Sequence, residues 1–256
     1  MKIRQLRNAT LLIEYADKKF LVDPMLAEKG AYPGFPGTVN SHLSNPLVEL
    51  PVALDEILQV DAVVVTHTHP DHLDEAAKSL VPKELLIYAQ NEKDAAEIRS
   101  AGFSNVQILT ESTEFDGIAI SKTPGQHGSD AAYAAIGEIL GEVCGVVFKH
   151  SDEGTLYLAG DTIWNHFVEE TLKKYEPNVI VVNCGDAQAI GVGSCIMGKQ
   201  DVYEVCKSSP EATVVASHME AVNHCLLSRT ELQEFADKSG IAAQLIIPLD
   251  GETLTC

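Results

Sequence analysis

Val63-Val64-Val65-Thr66-His67-Thr68-His69-Pro70-Asp71-His72-Leu73-Asp74 is the stretch that decides how this chain is read. An apolar run ends in three histidines and one aspartate between positions 67 and 72. Secondary structure alone does not call for such a cluster. It reads as a metal site; the competing reading is an accidental histidine cluster on a solvated loop. In an extended segment side chains alternate faces, so His67 and His69 project to one side and can grip one ion. Pro70 suits a bend or a first helical turn, which puts Asp71 and His72 on the way into a helix, free to face a second ion. Imidazole nitrogens with a carboxylate suit zinc, and also iron or manganese.

The chain around this stretch has 256 residues, enough for a large core, and is read as a single domain over 1–256. Its net charge of −19 argues against a nucleic-acid backbone as the main ligand. Six cysteines (Cys144, Cys184, Cys195, Cys206, Cys225, Cys256) form no CxxC pair, which suits free thiols in a reducing compartment. No apolar run follows Met1-Lys2-Ile3-Arg4, and no segment approaches bilayer length. The expectation is a cytoplasmic protein with no membrane partner.

Hydrophobic periodicity predicts strands over 3–6, 10–15 and 20–22, then alternating elements. Helices are expected over 52–58, 71–80, 92–100, 164–175, 200–207 and 230–238. Strands are expected over 62–65, 85–88, 106–109, 143–149, 155–158, 179–182, 213–216 and 244–247, with a hairpin at Asp116-Gly117. This is an α/β chain. Residues 24–51 are rich in Gly and Pro and lack a hydrophobic period. Loops of that length are either functional or disordered, and Tyr32, Phe35 and His42 favour a substrate-side flap over a disordered linker.

Four further sites carry chemistry at the ends of apolar strands. Asp23 follows the third strand, as an acid at a sheet edge or a plain turn former. His127 sits between glycines in Pro124-Gly125-Gln126-His127-Gly128, with the backbone freedom to reach inward. Asp161 ends the strand before it, where α/β sheets often build sites, and His218 closes Thr213-Val214-Val215-Ala216-Ser217. His224 could face a substrate or be structural; His42 is a weaker case of the same kind. His150 reads as solvated and His166 as structural or rim-forming, while Cys184 and Cys225 read as packing residues.

With Thr66-His67-Thr68-His69-Pro70-Asp71-His72 followed in order by His127, Asp161 and His218, the chain resembles the metallo-β-lactamase superfamily. That resemblance implies a four-layer αββα sandwich over essentially the whole chain. It implies His67, His69 and His127 on a first ion, Asp71, His72 and His218 on a second, and Asp161 bridging the two. Asp23 would hydrogen-bond a ligating histidine from behind. Asn8-Ala9-Thr10, the Asn45-Pro46-Leu47-Val48 of the long loop, Gly160-Asp161-Thr162 and His218 to Cys225 further resemble the ascorbate-6-phosphate lactonase-like branch, whose lactonases are associated with manganese where many relatives use zinc.

The expected function is therefore a metal-dependent hydrolase of a small metabolite, a lactone or a phosphorylated sugar derivative. A hydroxide shared by two divalent ions, zinc or manganese, would attack the substrate, with Asp71, Asp161 and His224 as catalytic residues and Asn45 and His42 near the substrate. Phosphodiester or nucleic-acid cleavage is a second reading, disfavoured by the acidic charge. A metal-binding sensor without catalysis is a third, disfavoured by the complete ligand set. A homo-oligomer is compatible with the resemblance, although no stretch marks an interface.

Overall fold

A computed structural model describes residues 1–256. The chain opens with an antiparallel meander, β1 (Lys2–Arg7), β2 (Thr10–Tyr15) and β3 (Lys18–Val22). After the long loop come α1 (Leu54–Ile57), β4 (Ala62–Val65), α2 (Glu75–Leu80), β5 (Leu86–Ala89), α3 (Glu92–Ser100) and β6 (Val106–Ile108). The second half runs β7 (Thr113–Phe115), β8 (Ile118–Pro124), α4 (Asp130–Leu140), β9 (Cys144–His150), β10 (Glu153–Leu158), α5 (His166–Tyr175) and β11 (Val179–Asn183). A small hairpin, β12 (Gln188–Ala189) and β13 (Gly193–Ser194), leads to α6 (Lys199–Ser208), β14 (Thr213–Ser217), α7 (Arg229–Ser239), β15 (Leu245–Ile246) and β16 (Thr253–Thr255).

These strands form two seven-stranded sheets, ordered β16-β1-β2-β3-β4-β5-β6 and β15-β14-β11-β10-β9-β8-β7. Period-two alternation explains how each strand serves two layers. Val64 faces the opposite sheet, in a core with Phe20, Tyr88, Ile120, Val146, Phe148 and Val181. Its neighbours Val63 and Val65 face outward onto α1, α2 and α3, through Ile57, Ala77, Ala95 and Ile98. On the other sheet Ile180, Val182 and Val214 meet Val168 and Leu172 of α5, Val202 and Val205 of α6, and Leu232 and Ala236 of α7. The result is helices, sheet, sheet, helices, the αββα order expected from the resemblance. No helix is long and apolar enough to cross a membrane.

Four local expectations change. The helix expected over 71–80 begins at Glu75, because the Asp74 carboxylate accepts from Ala77 N (2.6 Å) and fixes the start there. Helix α4 was not foreseen; Ser129 caps it through Ala132 N, but its Ala-rich sequence is broken at Ile136 by non-helical angles (φ −139°, ψ 24°). The glycine-rich segment after Asp186 contains the β12–β13 hairpin. β16 closes the first sheet against β1, an edge pairing too short to show periodicity.

Strands β3, β4 and β5 run parallel, as do β10, β11 and β14. The exits of β3, β4, β8, β10, β11 and β14 therefore gather at one end of the sandwich. Six polar segments converge there: Asp23, His67 to His72, His127, Asp161, Asn183 and His218.

Candidate metal centre

The structure brings all seven expected ligands together. Three sets have their donor atoms within 4.8 Å of one another: His67, His69 and His127; His67, His72 and Asp161; and Asp71, His72 and His218. Asp161 Oδ2 is the hub, 3.1 Å from His72 Nε2, 3.6 Å from His218 Nε2, 3.8 Å from His127 Nε2 and 3.9 Å from His67 Nε2. Its other oxygen accepts from Asn183 Nδ2 at 2.8 Å, which leaves Oδ2 turned to the centre. Asp71 Oδ2 lies 3.2 Å from His218 Nε2.

Each ligand histidine is oriented by a partner on the ring nitrogen turned away from the cluster. His72 Nδ1 meets Asp23 Oδ2 at 2.9 Å, His127 Nδ1 meets Cys195 O at 2.8 Å, and His69 Nε2 meets Ile139 O at 3.0 Å. His67 Nδ1 lies 3.2 Å from Thr66 Oγ1, and His218 Nδ1 lies 3.4 Å from Cys225 Sγ. Such outer partners fix ring orientation and basicity. Asp23 does more than touch His72: its carboxylate also accepts from Thr66 N and Thr66 Oγ1, both at 2.7 Å. It takes the place behind a histidine that the resemblance implied.

The electrostatics separate the histidines into two kinds. Burial, with the neighbouring His72 and His69, holds His67 well below its ordinary pKa, and burial lowers His127 to about 4. Both are neutral at pH 7, the state a metal ligand needs. For His72 burial opposes the charge, but Asp161 and Asp23 outweigh it and raise the pKa to about 10. His218 is likewise raised against burial, by Asp161, Cys225 and Asp71. Burial also opposes ionisation of Asp71 and Asp161, yet the histidines around them hold both carboxyls well below the usual range.

The donor set fits divalent cations on two independent grounds. His67 Nε2 is buried and has no hydrogen-bond partner, although a buried polar atom without one is costly. His72 Nε2 and His218 Nε2 lie 3.2 Å apart beside the carboxylates of Asp161 and Asp71, where a cation would relieve the crowding of donors and supply the positive charge. Hard carboxylate oxygens and borderline imidazoles together suit zinc or manganese.

The remaining expected residues divide. His224 is half-buried, with its Nδ1 unpartnered, and burial lowers its pKa against Asp71. Asn45 is fully buried and bonded to Asn223 rather than directed at a ligand. His42 is exposed in a turn of the long loop and makes no hydrogen bond or ion pair, so no contact ties it to the centre. The glycine and proline content that marked the loop carries no information about where one side chain in it faces. Residues not foreseen are Asn8, whose Nδ2 donates to Asp71 O at 2.9 Å and lies 3.5 Å from His218 Nε2, and Asn183 on Asp161. Their signal was polar residues ending buried strands, diluted by the many turns that end the same way.

The Beta-lactamase superfamily domain matches residues 18–219. YddR of Bacillus subtilis, a UPF0173 protein, is 50% identical over 256 residues, all of both chains. A UPF0173 metal-dependent hydrolase of Pelotomaculum thermopropionicum is 29% identical over 219 residues, covering 85% of this chain and 84% of that one. Among solved structures, the isothiocyanate hydrolase from Delia radicum gut bacteria superposes with a TM-score of 0.98 at 53% identity, covering 100% of this chain and 99% of that one.

Proposed function

The chain belongs to the β-lactamase superfamily and, within it, to the UPF0173 family of metal-dependent hydrolases, and from that premise we propose that it uses two divalent cations to hydrolyse a small electrophilic metabolite, most specifically an isothiocyanate. The observation that carries the proposal is the sharing of donors. His67, His69 and His127 would hold one ion, Asp71, His72 and His218 the other, with Asp161 Oδ2 between. Bound there, the ions supply Lewis acidity and bring the pKa of a water toward about 7.

The chain's own groups do the rest. Asp161 and Asp71 are held ionised at neutral pH by the surrounding histidines, which suits them to bind cations and orient the attacking water rather than to take its proton. His224, whose Nδ1 is unpartnered and whose ring feels the charge of Asp71, is the candidate to exchange a proton with the substrate. Water adds its oxygen to the central carbon of R–N=C=S and its proton to nitrogen; the thiocarbamate so formed separates into amine and carbonyl sulfide.

Three observations favour this substrate class. A relative named for isothiocyanate hydrolysis superposes at a TM-score of 0.98 and is 53% identical. The largest charge effects on Asp71, Asp161, His218 and His224 come from histidines, carboxylates and a cysteine rather than from a lysine or arginine. That weighs against the phosphorylated sugar derivative. Asn45 and the residues after His218, which suggested a lactonase branch, are occupied in bonding each other. A lactone stays in the panel as the second carbonyl-like electrophile.

The test is elemental analysis of protein loaded with zinc or manganese, followed by amine release from benzyl isothiocyanate beside a lactone, a phosphodiester and RNA. Two ions per chain and amine release that dialysis against a chelator abolishes are expected. Amine release undiminished in metal-free protein would sink the mechanism; turnover of the phosphodiester alone would sink the substrate class.

A further inference from the structure

The long loop and the segment after His218 meet at two buried asparagines. Asn45 Nδ2 donates to Asn223 Oδ1 and Asn223 N donates to Asn45 Oδ1, each at 2.8 Å. Asn223 Nδ2 donates to Thr38 Oγ1 (2.9 Å) and Val39 O (2.8 Å), and Phe35 N donates to Asn223 Oδ1 (3.1 Å). Every polar atom of one side chain is thus committed to the loop. Leu47 N donates to Ala221 O at 2.7 Å, and Ile190 N donates to Gly37 O at 2.9 Å, which fastens the loop on both flanks.

What this clasp holds is the next residue. The His224 ring stands edge-on to Phe35, with centroids 5.1 Å apart and planes at 84°. The residue after His224, Cys225, sets its Sγ 3.4 Å from His218 Nδ1, and the largest charge effects on His224 come from Asp71, His218, Asp161 and His69 of the same centre. Phe35 therefore reaches the centre through His224, from a loop that hangs on Asn223. A lid that swings would have to break several buried hydrogen bonds at once.

We propose that Asn223 is a positioning residue that clasps the loop 24–51 as a fixed roof beside the metal centre and seats Phe35 against His224, where the phenyl ring selects substrates bearing an apolar group. The selection rests on the hydrolase reading above; the clasp does not. Asn223→Ala removes the clasp, and Asn223→Asp, which keeps its size and both acceptor contacts but loses the Nδ2 donations, covers a failure of the first variant to fold. Phe35→Ala removes only the ring.

Amide hydrogen exchange and calorimetry with benzylthiourea and methylthiourea, unreactive probes that keep the R–N–C=S skeleton in the trigonal shape of the thiocarbamate, are run on metal-loaded protein. Loosening the clasp should speed exchange over residues 30–47 about tenfold or more, with β4 and β11 unchanged and the metal content intact. The unaltered protein should prefer the benzyl probe by about tenfold, and Asn223→Ala and Phe35→Ala should each remove the preference, Phe35→Ala without the exchange effect. With benzyl isothiocyanate, KM should rise about tenfold in Phe35→Ala while kcat changes by less than about threefold. Unchanged exchange in both Asn223 variants would overturn the clasp, and equal affinity of the unaltered protein for the two probes would overturn the selection. Absence of turnover by the unaltered protein, with the exchange result as expected, would count against the hydrolase reading and leave the clasp standing.

Discussion

His72 shows how one residue can carry both the fold and the chemistry of the centre. It lies between Asp23 (2.9 Å) and Asp161 (3.1 Å) and is fully buried. Without a cation the two carboxylates hold a proton on the ring up to about pH 10. The sign follows from linkage: a folded pKa above the unfolded 6.5 contributes stability that is complete below 6.5 and is lost as pH rises through about 10. Asp71 and Asp161 act the opposite way, with lowered pKa values whose stabilisation is present above the unfolded 3.8 and lost in acid. A ligand nitrogen must release its proton before it coordinates. Metal binding at pH 7.5 is therefore expected to release at least about one proton per centre, from the His72–His218 pair, whose Nε2 atoms lie 3.2 Å apart. Titration calorimetry in buffers of different ionisation enthalpy counts them, and a count near zero would mean that neither ring carries a proton in the metal-free protein.

At the scale of elements, the strand ends explain what could be read from the sequence. Val63 to Val65 alternate faces and end in the histidines, so strand, site and metal chemistry were legible together. Asp161 and His218 were legible for the same reason, as single polar residues after β10 and β14. Helix α4 was not, because its small residues give little amphipathic contrast and the break at Ile136 disrupts the period, although Ile139 O is what orients His69. The pairing in the clasp was also hidden, since the segments holding Asn45 and Asn223 were marked only by the lactonase-like resemblance and the two residues are 178 positions apart. Gly185, just past the exit of β11, carried no signal of its own in the sequence. A Cβ there would stand 2.1 Å from His218 O and 2.8 Å from Cys225 Sγ. Backbone cannot yield that much without moving the histidine. Gly185→Ala should therefore empty the second ion site while His67, His69 and His127 keep the first, giving about one metal per chain by elemental analysis. Two tightly held ions in that variant would show that His218 does not depend on this close approach.

For the whole molecule, the centre is a bond between sheets. His67, His69, Asp71 and His72 leave the first sheet after β4, while His127, Asp161 and His218 leave the second after β8, β10 and β14. The hydrophobic layer between the sheets holds their middles together, and at this end the contact is ionic, with buried carboxylates facing buried imidazoles. Cations bound there join both halves and offset part of a net charge of −19. Because ions bind the folded state and find no such site in the unfolded chain, they stabilise by mass action, about 4 kcal/mol at a thousandfold excess over Kd. For a chain of this size each kcal/mol corresponds to about 2–4 °C in Tm. Exhaustive chelation is thus expected to lower Tm by about 8–16 °C in scanning calorimetry, with full recovery on adding zinc or manganese. The loss should also speed hydrogen exchange at the exits of β4 and β10 before it reaches the strand centres, because the apolar core is untouched. A Tm unchanged by chelation, in protein shown to have lost its metal, would mean that the two sheets are held by their core alone and that the centre contributes chemistry without contributing stability.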